Sequence, residues 1–124
     1  KNISNKKLSK DKLQNLELIK TQDILNTISN KIINRPQACI GFAAQDHKII
    51  EYATNKLQNK NLDLCIANDI SRKDIGFYQD HNEIIIINKN LSHKTIAKNT
   101  KYKIAEIILQ EIAKLSCFDK ILIN

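Results

Sequence analysis

Apolar residues recur along this chain in two spacings, one helical and one extended, and the switches between them divide it into a short series of elements. Leu16, Leu18, Ile19, Ile24, Leu25, Ile28 and Ile32 include an i, i+4, i+8 series from Ile24 to Ile32. That series predicts a helix over about Asp23 to Asn34, with Thr21 or Asp23 at the N-cap, where a side-chain oxygen can accept from an orphan amide. Arg35-Pro36 ends it, because proline lacks an amide hydrogen and fixes φ. The apolar run Ala38 to Ala44, polar on both sides, predicts a buried strand. Asp46 is then a candidate cap for a helix carrying Ile49, Ile50, Tyr52, Ala53 and Leu57 through about Asn59, with Lys56 and Lys60 one turn apart near its end. Leu62 to Ala67 predicts a second strand, followed by Asn68-Asp69 and a polar loop containing Gly76. Ile84 to Ile87 is a short β-branched run suited to a sheet. Ile104, Ile107, Ile108, Ile112 and Leu115 predict a long amphipathic helix over Thr95 to Leu115.

Helix, strand, helix, strand, strand, helix is the order of an α/β layer with a largely parallel sheet. Ligands of such sheets bind beyond the carboxyl ends of the strands, which places Phe42 to Gln45 and Asn68 to Gly76 at the expected ligand edge. A chain of 124 residues has room for one small core, so residues 1–124 read as part of a single domain, a basic segment 1–13 followed by an α/β body 14–124. It holds no methionine, which points to a piece of a longer polypeptide.

The formal net charge is +7, yet only Arg35 and Arg72 are arginine. Lysine abundance alongside isoleucine and asparagine is what AT-rich coding DNA produces, and neither bidentate readout nor aromatic stacking platforms accompany it. The charge therefore reads as solvated lysine, open to a phosphate-bearing small ligand, and no nucleic-acid partner is expected. Cys39, Cys65 and Cys117 match no metal or redox spacing, and the first two lie in apolar runs as buried free thiols. His47, His81 and His93 lack ligand spacing as well. No apolar run approaches the roughly 20 residues needed to span a bilayer, and no signal-like segment begins the chain. The expectation is a cytoplasmic location with no membrane partner.

Neither G-x-G-x-x-G nor G-x-x-x-x-G-K-[ST] is present, so a nucleotide would have to be held by lysines and not by a glycine loop. The order Gly41-Phe42-Ala43-Ala44, Lys56 and Lys60, Asn61 to Asp69, Gly76-Phe77 and Asp80 resembles the C-terminal half of bacterial phosphopantothenate-cysteine ligase. The resemblance implies a Rossmann-like fold forming the C-terminal portion of a larger domain. It implies an enzyme of coenzyme A biosynthesis that activates 4′-phosphopantothenate with CTP to an acyl-cytidylate, which cysteine then attacks. By the same resemblance Lys7 is the catalytic lysine, in a basic flap Lys7-Leu8-Ser9-Lys10, where it neutralises charge as the substrate carboxylate attacks the α-phosphate. Gln22, Asp23, Ile24 and Leu25 match a Pro-Asp-Ile-Leu nucleotide segment without its proline. Lys56 and Lys60, after Glu51-Tyr52-Ala53, match two nucleotide-contacting lysines, and Phe42 a residue beside the base. Asn68 and Asp69 belong to the implied ligand-edge loop, without individual roles. Mg2+ is implied as a shield for the triphosphate. FMN is not expected in this segment, and the family implies a homodimer. The resemblance also implies an upstream half of the domain, in the same or a separate chain, without which this piece is inactive. Gln22, Gln45 and Ser9 depart from the family pattern and motivate the alternatives of a noncatalytic remnant or a subunit of a split ligase. The charge alone motivates a basic nucleic-acid-binding module.

Overall fold

The computed structural model describes residues 15–118. The basic flap, with Lys7 and Lys10, lies outside the described residues. Three α-helices and four strands follow in the order α1 (Ile24–Ser29), β1 (Ile40–Gln45), α2 (Ile49–Asn59), β2 (Leu64–Asp69), β3 (His81–Asn88), β4 (His93–Thr100) and α3 (Lys101–Ala113), with a short 3-10 turn at Ser116–Phe118. The fold class is α/β, as the sequence pattern indicates.

The strands form one sheet in the order β1-β2-β3-β4. Parallel pairing is confined to β1 and β2, joined through α2; β2–β3 and β3–β4 are antiparallel. The expected largely parallel sheet is thus a mixed one. Strand β2 runs into β3 with no helix between them and pairs with it antiparallel, and a second antiparallel pair comes from β4, which the pattern of apolar residues does not reveal. Of its eight residues only Ile96 is buried, so the strand shows no alternation, and Thr95 to Thr100 reads instead as the start of the following helix. A turn closed by the Ser92 carbonyl accepting from the Asn88 amide at 2.9 Å connects β3 to β4. Helix α3 begins only after Thr100, whose hydroxyl accepts from the Lys103 amide.

Two apolar layers flank the sheet. Ala43, Cys65, Ala67 and Ile87 face Ala53 and Leu57 of α2, with Leu25 and Ile28 of α1 packed against them. Leu64, Ile66, Ile84 and Ile86 face the opposite way, toward Ile104 of α3. The isoleucine run of β3 therefore buries both of its faces, and each such side chain contributes about 1.5–3 kcal/mol of transfer free energy. Cys39 and Cys65 are buried free thiols in the first layer, as expected.

Helix α1 is shorter than its apolar series suggests. It stops at Ser29, and Ile32 and Ile33 are exposed. The carbonyl of Ser29, which a longer helix would direct to a later amide, instead accepts from Arg35 Nε at 2.7 Å and from Asn61 Nδ2 at 3.1 Å. Arg35 continues to the Asn61 carbonyl at 2.8 Å and the Asp63 carboxylate at 2.9 Å, while Asp63 also accepts from the Cys39 amide. This clasp turns the chain from α1 into β1. Helix α2 departs from expectation at its start, where the cap position belongs to Lys48, in a left-handed conformation, and Asp46 pairs with His47.

Candidate functional site

Residues implicated in ligand binding by the sequence fall into two groups in the fold. The first gathers around β1, which has no neighbour on its outer side among the described residues. Gly41 and Ala43 point into the α1/α2 layer; alternation turns Phe42 to the α3 side, where it is 57% exposed. Helix α3 packs mainly on β3 and β4; on that side of β1, Ile40 is partly buried against its layer and Phe42 is exposed among the described residues. Lys56, from α2 on the other face, reaches the strand so that its ammonium donates to the Phe42 carbonyl. One ammonium is therefore held at the backbone of the residue whose ring is exposed on the other face of β1.

Leu25 fixes the position of α1 against this strand. A Cβ on Gly41 would lie 2.5 Å from Leu62 Cδ1 and 3.3 Å from Leu25 Cδ2, so both leucines occupy space that only glycine leaves free. Asp23, the N-cap of α1, accepts from the Asn26 amide at 3.0 Å and pairs with the Lys60 ammonium at 2.7 Å. That ammonium, and after it the Asn26 amide, hold the Asp23 carboxyl below the usual carboxylate range. Gln22 donates to the Thr27 hydroxyl at 3.3 Å. Of the expected nucleotide residues, Asp23 meets Lys60 between α1 and α2, and Lys56 meets the Phe42 backbone on β1; Leu25 packs inward and Ile24 is exposed.

Asn68 and Asp69 form the second group, at the carboxyl end of β2. They line a cleft of about 490 Å³ with Arg72, Lys73, Gly76, Phe77, Tyr78, Asn82 and Lys101. Asn68 Oδ1 accepts from Asn82 Nδ2 at 3.1 Å across β2 and β3. Asp69 Oδ1 accepts from the Ser71 amide at 2.9 Å and turns the chain into the loop. Arg72 braces the loop through Asp74 at 2.9 Å and Glu83 at 2.7 Å; Arg72 and then Lys98 hold the Asp74 carboxyl far below its ordinary value. Gly76 has φ +86, which a glycine adopts without strain. Tyr78 has φ +61 and is fully exposed beside the largely exposed Phe77. The sequence places Asn68 to Gly76, with Arg72 and Lys73, at this edge but gives no sign of Tyr78 or Lys101. Tyr78 comes from the end of the loop and Lys101 from the first turn of α3, which β3 and β4 separate from β2 in sequence and return to it in space.

Among the described residues no three histidine, cysteine, aspartate or glutamate side chains converge as metal ligands. These residues offer Mg2+ no cage of their own. Among them too, no helix is long and apolar enough to cross a membrane.

An α/β sheet with a lysine drawn to its edge strand and a polar cleft at the carboxyl end of the neighbouring strand has polar groups where sheets of this class hold ligands. Residues 1–115 match the family described as DNA/pantothenate metabolism flavoprotein C-terminal domain, and the chain belongs to that family. It is 41% identical over 101 residues to the coenzyme A biosynthesis bifunctional protein CoaBC of Bacillus subtilis, covering 82% of this chain and 24% of that protein. Against the CoaBC of Borreliella burgdorferi it is 39% identical over 114 residues, covering 89% of this chain and 27% of that protein. The chain thus spans about a quarter of the length of these relatives. Its fold is similar to the crystal structure of the C-terminal domain of a CoaBC protein, with a TM-score of 0.62 and 32% identity over 77% of this chain and 42% of that one. A DNA/pantothenate metabolism flavoprotein from Streptococcus pneumoniae gives a TM-score of 0.57 at 27% identity, over 75% of this chain and 40% of that one.

Proposed function

We propose that the chain serves coenzyme A biosynthesis as the C-terminal part of a phosphopantothenate-cysteine ligase. In that reaction CTP activates the carboxylate of 4′-phosphopantothenate to an acyl-cytidylate with release of pyrophosphate, and the cysteine amine displaces CMP to form the amide. The observation that carries the reading is the Lys56 ammonium donating to the backbone carbonyl of Phe42, whose side chain is exposed. An exposed ring on one face of the strand offers a surface to a base, and an ammonium held at the backbone of the same residue offers a point charge to a phosphate oxygen.

In this reading Lys56 and Lys60 bind the nucleotide, and Lys7 neutralises the charge that builds on the α-phosphate during attack. The carboxyl-end cleft with Asn68 and Asp69 is the second place where substrate meets this part of the domain. Mg2+, when bound to the triphosphate, would screen its charge. The remainder of the domain and a second copy of the protein are the proposed partners.

The test is made in the full-length protein that carries this chain. Lys56→Ala is expected to raise the KM for CTP by about tenfold, as loss of a charged hydrogen bond to the ligand would. Lys7→Gln is expected to lower kcat by about a hundredfold or more while leaving the melting temperature unchanged. An unchanged KM in the first variant makes Lys56 a structural tether of β1, and comparable turnover in the second removes Lys7 from the chemistry.

A further inference from the structure

Helix α1 grips Lys60 at both ends. At its last residue, the hydroxyl of the fully buried Ser29 donates to the Lys60 carbonyl. At its N-cap, Asp23 Oδ2 pairs with the Lys60 ammonium at 2.7 Å. The helix between those two contacts is six residues long, so the lysine side chain lies along α1 and is only 26% exposed. Asn61, the next residue, reinforces the attachment by donating to the Ser29 carbonyl at 3.1 Å. Lys56, one turn earlier on α2, is directed elsewhere, to the Phe42 carbonyl.

Asp23 is an unsuitable direct contact for a triphosphate, because a carboxylate repels it. Both of its oxygens are already engaged, Oδ1 by the Asn26 amide and Oδ2 by Lys60. We infer that Asp23 acts on the nucleotide through Lys60, as a positioning residue that fixes the ammonium of a long, flexible side chain before the ligand arrives. An ammonium has three donors, and one given to Asp23 leaves two for phosphate oxygens. Immobilising the lysine in advance removes from binding the ordering cost of its rotamers. The inference rests on the proposed role of Lys60 in nucleotide binding and deepens it. It gives Asp23 a role that requires no contact with the ligand.

The test is a cycle of Asp23→Asn, Lys60→Gln and the double variant in the full-length protein, with KM for CTP, kcat and melting temperature measured for each. Asparagine caps helices about as well as aspartate, so Asp23→Asn removes the charge pair and keeps the cap. The expected result for Asp23→Asn is a KM raised about fivefold, with kcat changed less than about twofold and an unchanged melting temperature. The double variant is expected to be no worse than Lys60→Gln alone. If Asp23→Asn leaves the KM unchanged or lowers it, or if its penalty persists in the Lys60→Gln background, the positioning role is overturned while Lys60 keeps its place in nucleotide binding. If Lys60→Gln itself leaves the KM unchanged, the ligand role of Lys60 fails and the inference fails with it. Asp23→Ser, a second capping residue without charge, must reproduce the Asp23→Asn result; divergence between them assigns the effect to the cap and overturns the inference.

Discussion

Replacing Arg35 tests how the turn from α1 into β1 is held. Its guanidinium donates to the carbonyls of Ser29 at 2.7 Å and Asn61 at 2.8 Å and to the Asp63 carboxylate at 2.9 Å. Asp63, in turn, accepts from the Cys39 amide at 2.8 Å and sits 3.6 Å from the Lys89 ammonium. Arg35→Ala leaves Asp63 with one close charged partner fewer and weakens the satisfaction of two carbonyls. Breaking a fully buried pair costs about 3–5 kcal/mol. Here the side chains are 20% and 16% exposed, so water compensates in part, and the expected loss is about 2–4 kcal/mol. Arg35→Lys keeps a charge for Asp63 but cannot span all three acceptors, because an ammonium lacks the planar fork, and is expected to lose about 1–2 kcal/mol. Urea unfolding of the chain measures both, and amide hydrogen exchange at Cys39 shows whether the loss is centred on the clasp. Losses under about 0.5 kcal/mol for both variants, or equal losses for the two, would refute the reasoning and reduce the contact to an ordinary solvated ion pair.

Gly41→Ala is expected to cost about 1–3 kcal/mol by overpacking, since the new Cβ falls 2.5 Å from Leu62 Cδ1 and Leu62 is fully buried. Thermal unfolding should show a fall of several degrees, and Leu62→Ala in the same background should recover part of it. Glu111 is held below the ordinary glutamate range by Lys114 and then Lys94. A lowered folded-state value means the contribution is complete above the unfolded glutamate pKa of about 4.3 and is lost as pH falls through the folded one. Glu111→Gln should therefore be less stable than the parent at neutral pH and lose less stability on acidification below about pH 4.5, as read from unfolding curves across that range.

Elements carrying a continuous apolar run or a sustained helical series were legible in the sequence, and β4, with a single apolar residue turned inward, was not. The Ile84 to Ile87 run and the Leu62 to Ala67 run carry enough continuous apolar surface to mark strands whatever their neighbours. β4 places only Ile96 inward and surrounds it with lysine, threonine and asparagine, so its assignment depends on pairing with β3, which no local pattern encodes. The overrun of α1 has a related cause. Ile32 continues the helical series by spacing, but Arg35 and Asn61 take the Ser29 carbonyl from far along the chain. At the site, Lys56 and Lys60 share a helical face by spacing alone. That one turns to Phe42 and the other to Asp23 is decided by where β1 and α1 lie, and two equivalent-looking lysines acquire different surroundings.

The loop between β2 and β3 also sets how the protein responds to being cut. Phe77 and Tyr78 stand exposed on a left-handed bend, which is the kind of bond chymotrypsin reaches first. A nick there severs no strand, and five residue pairs still join β2 to β3 on the far side of it. The α1–β2 piece and the β3–α3 piece would remain associated as halves of one sheet, with the carboxyl-end cleft as the seam where the chain tolerates interruption.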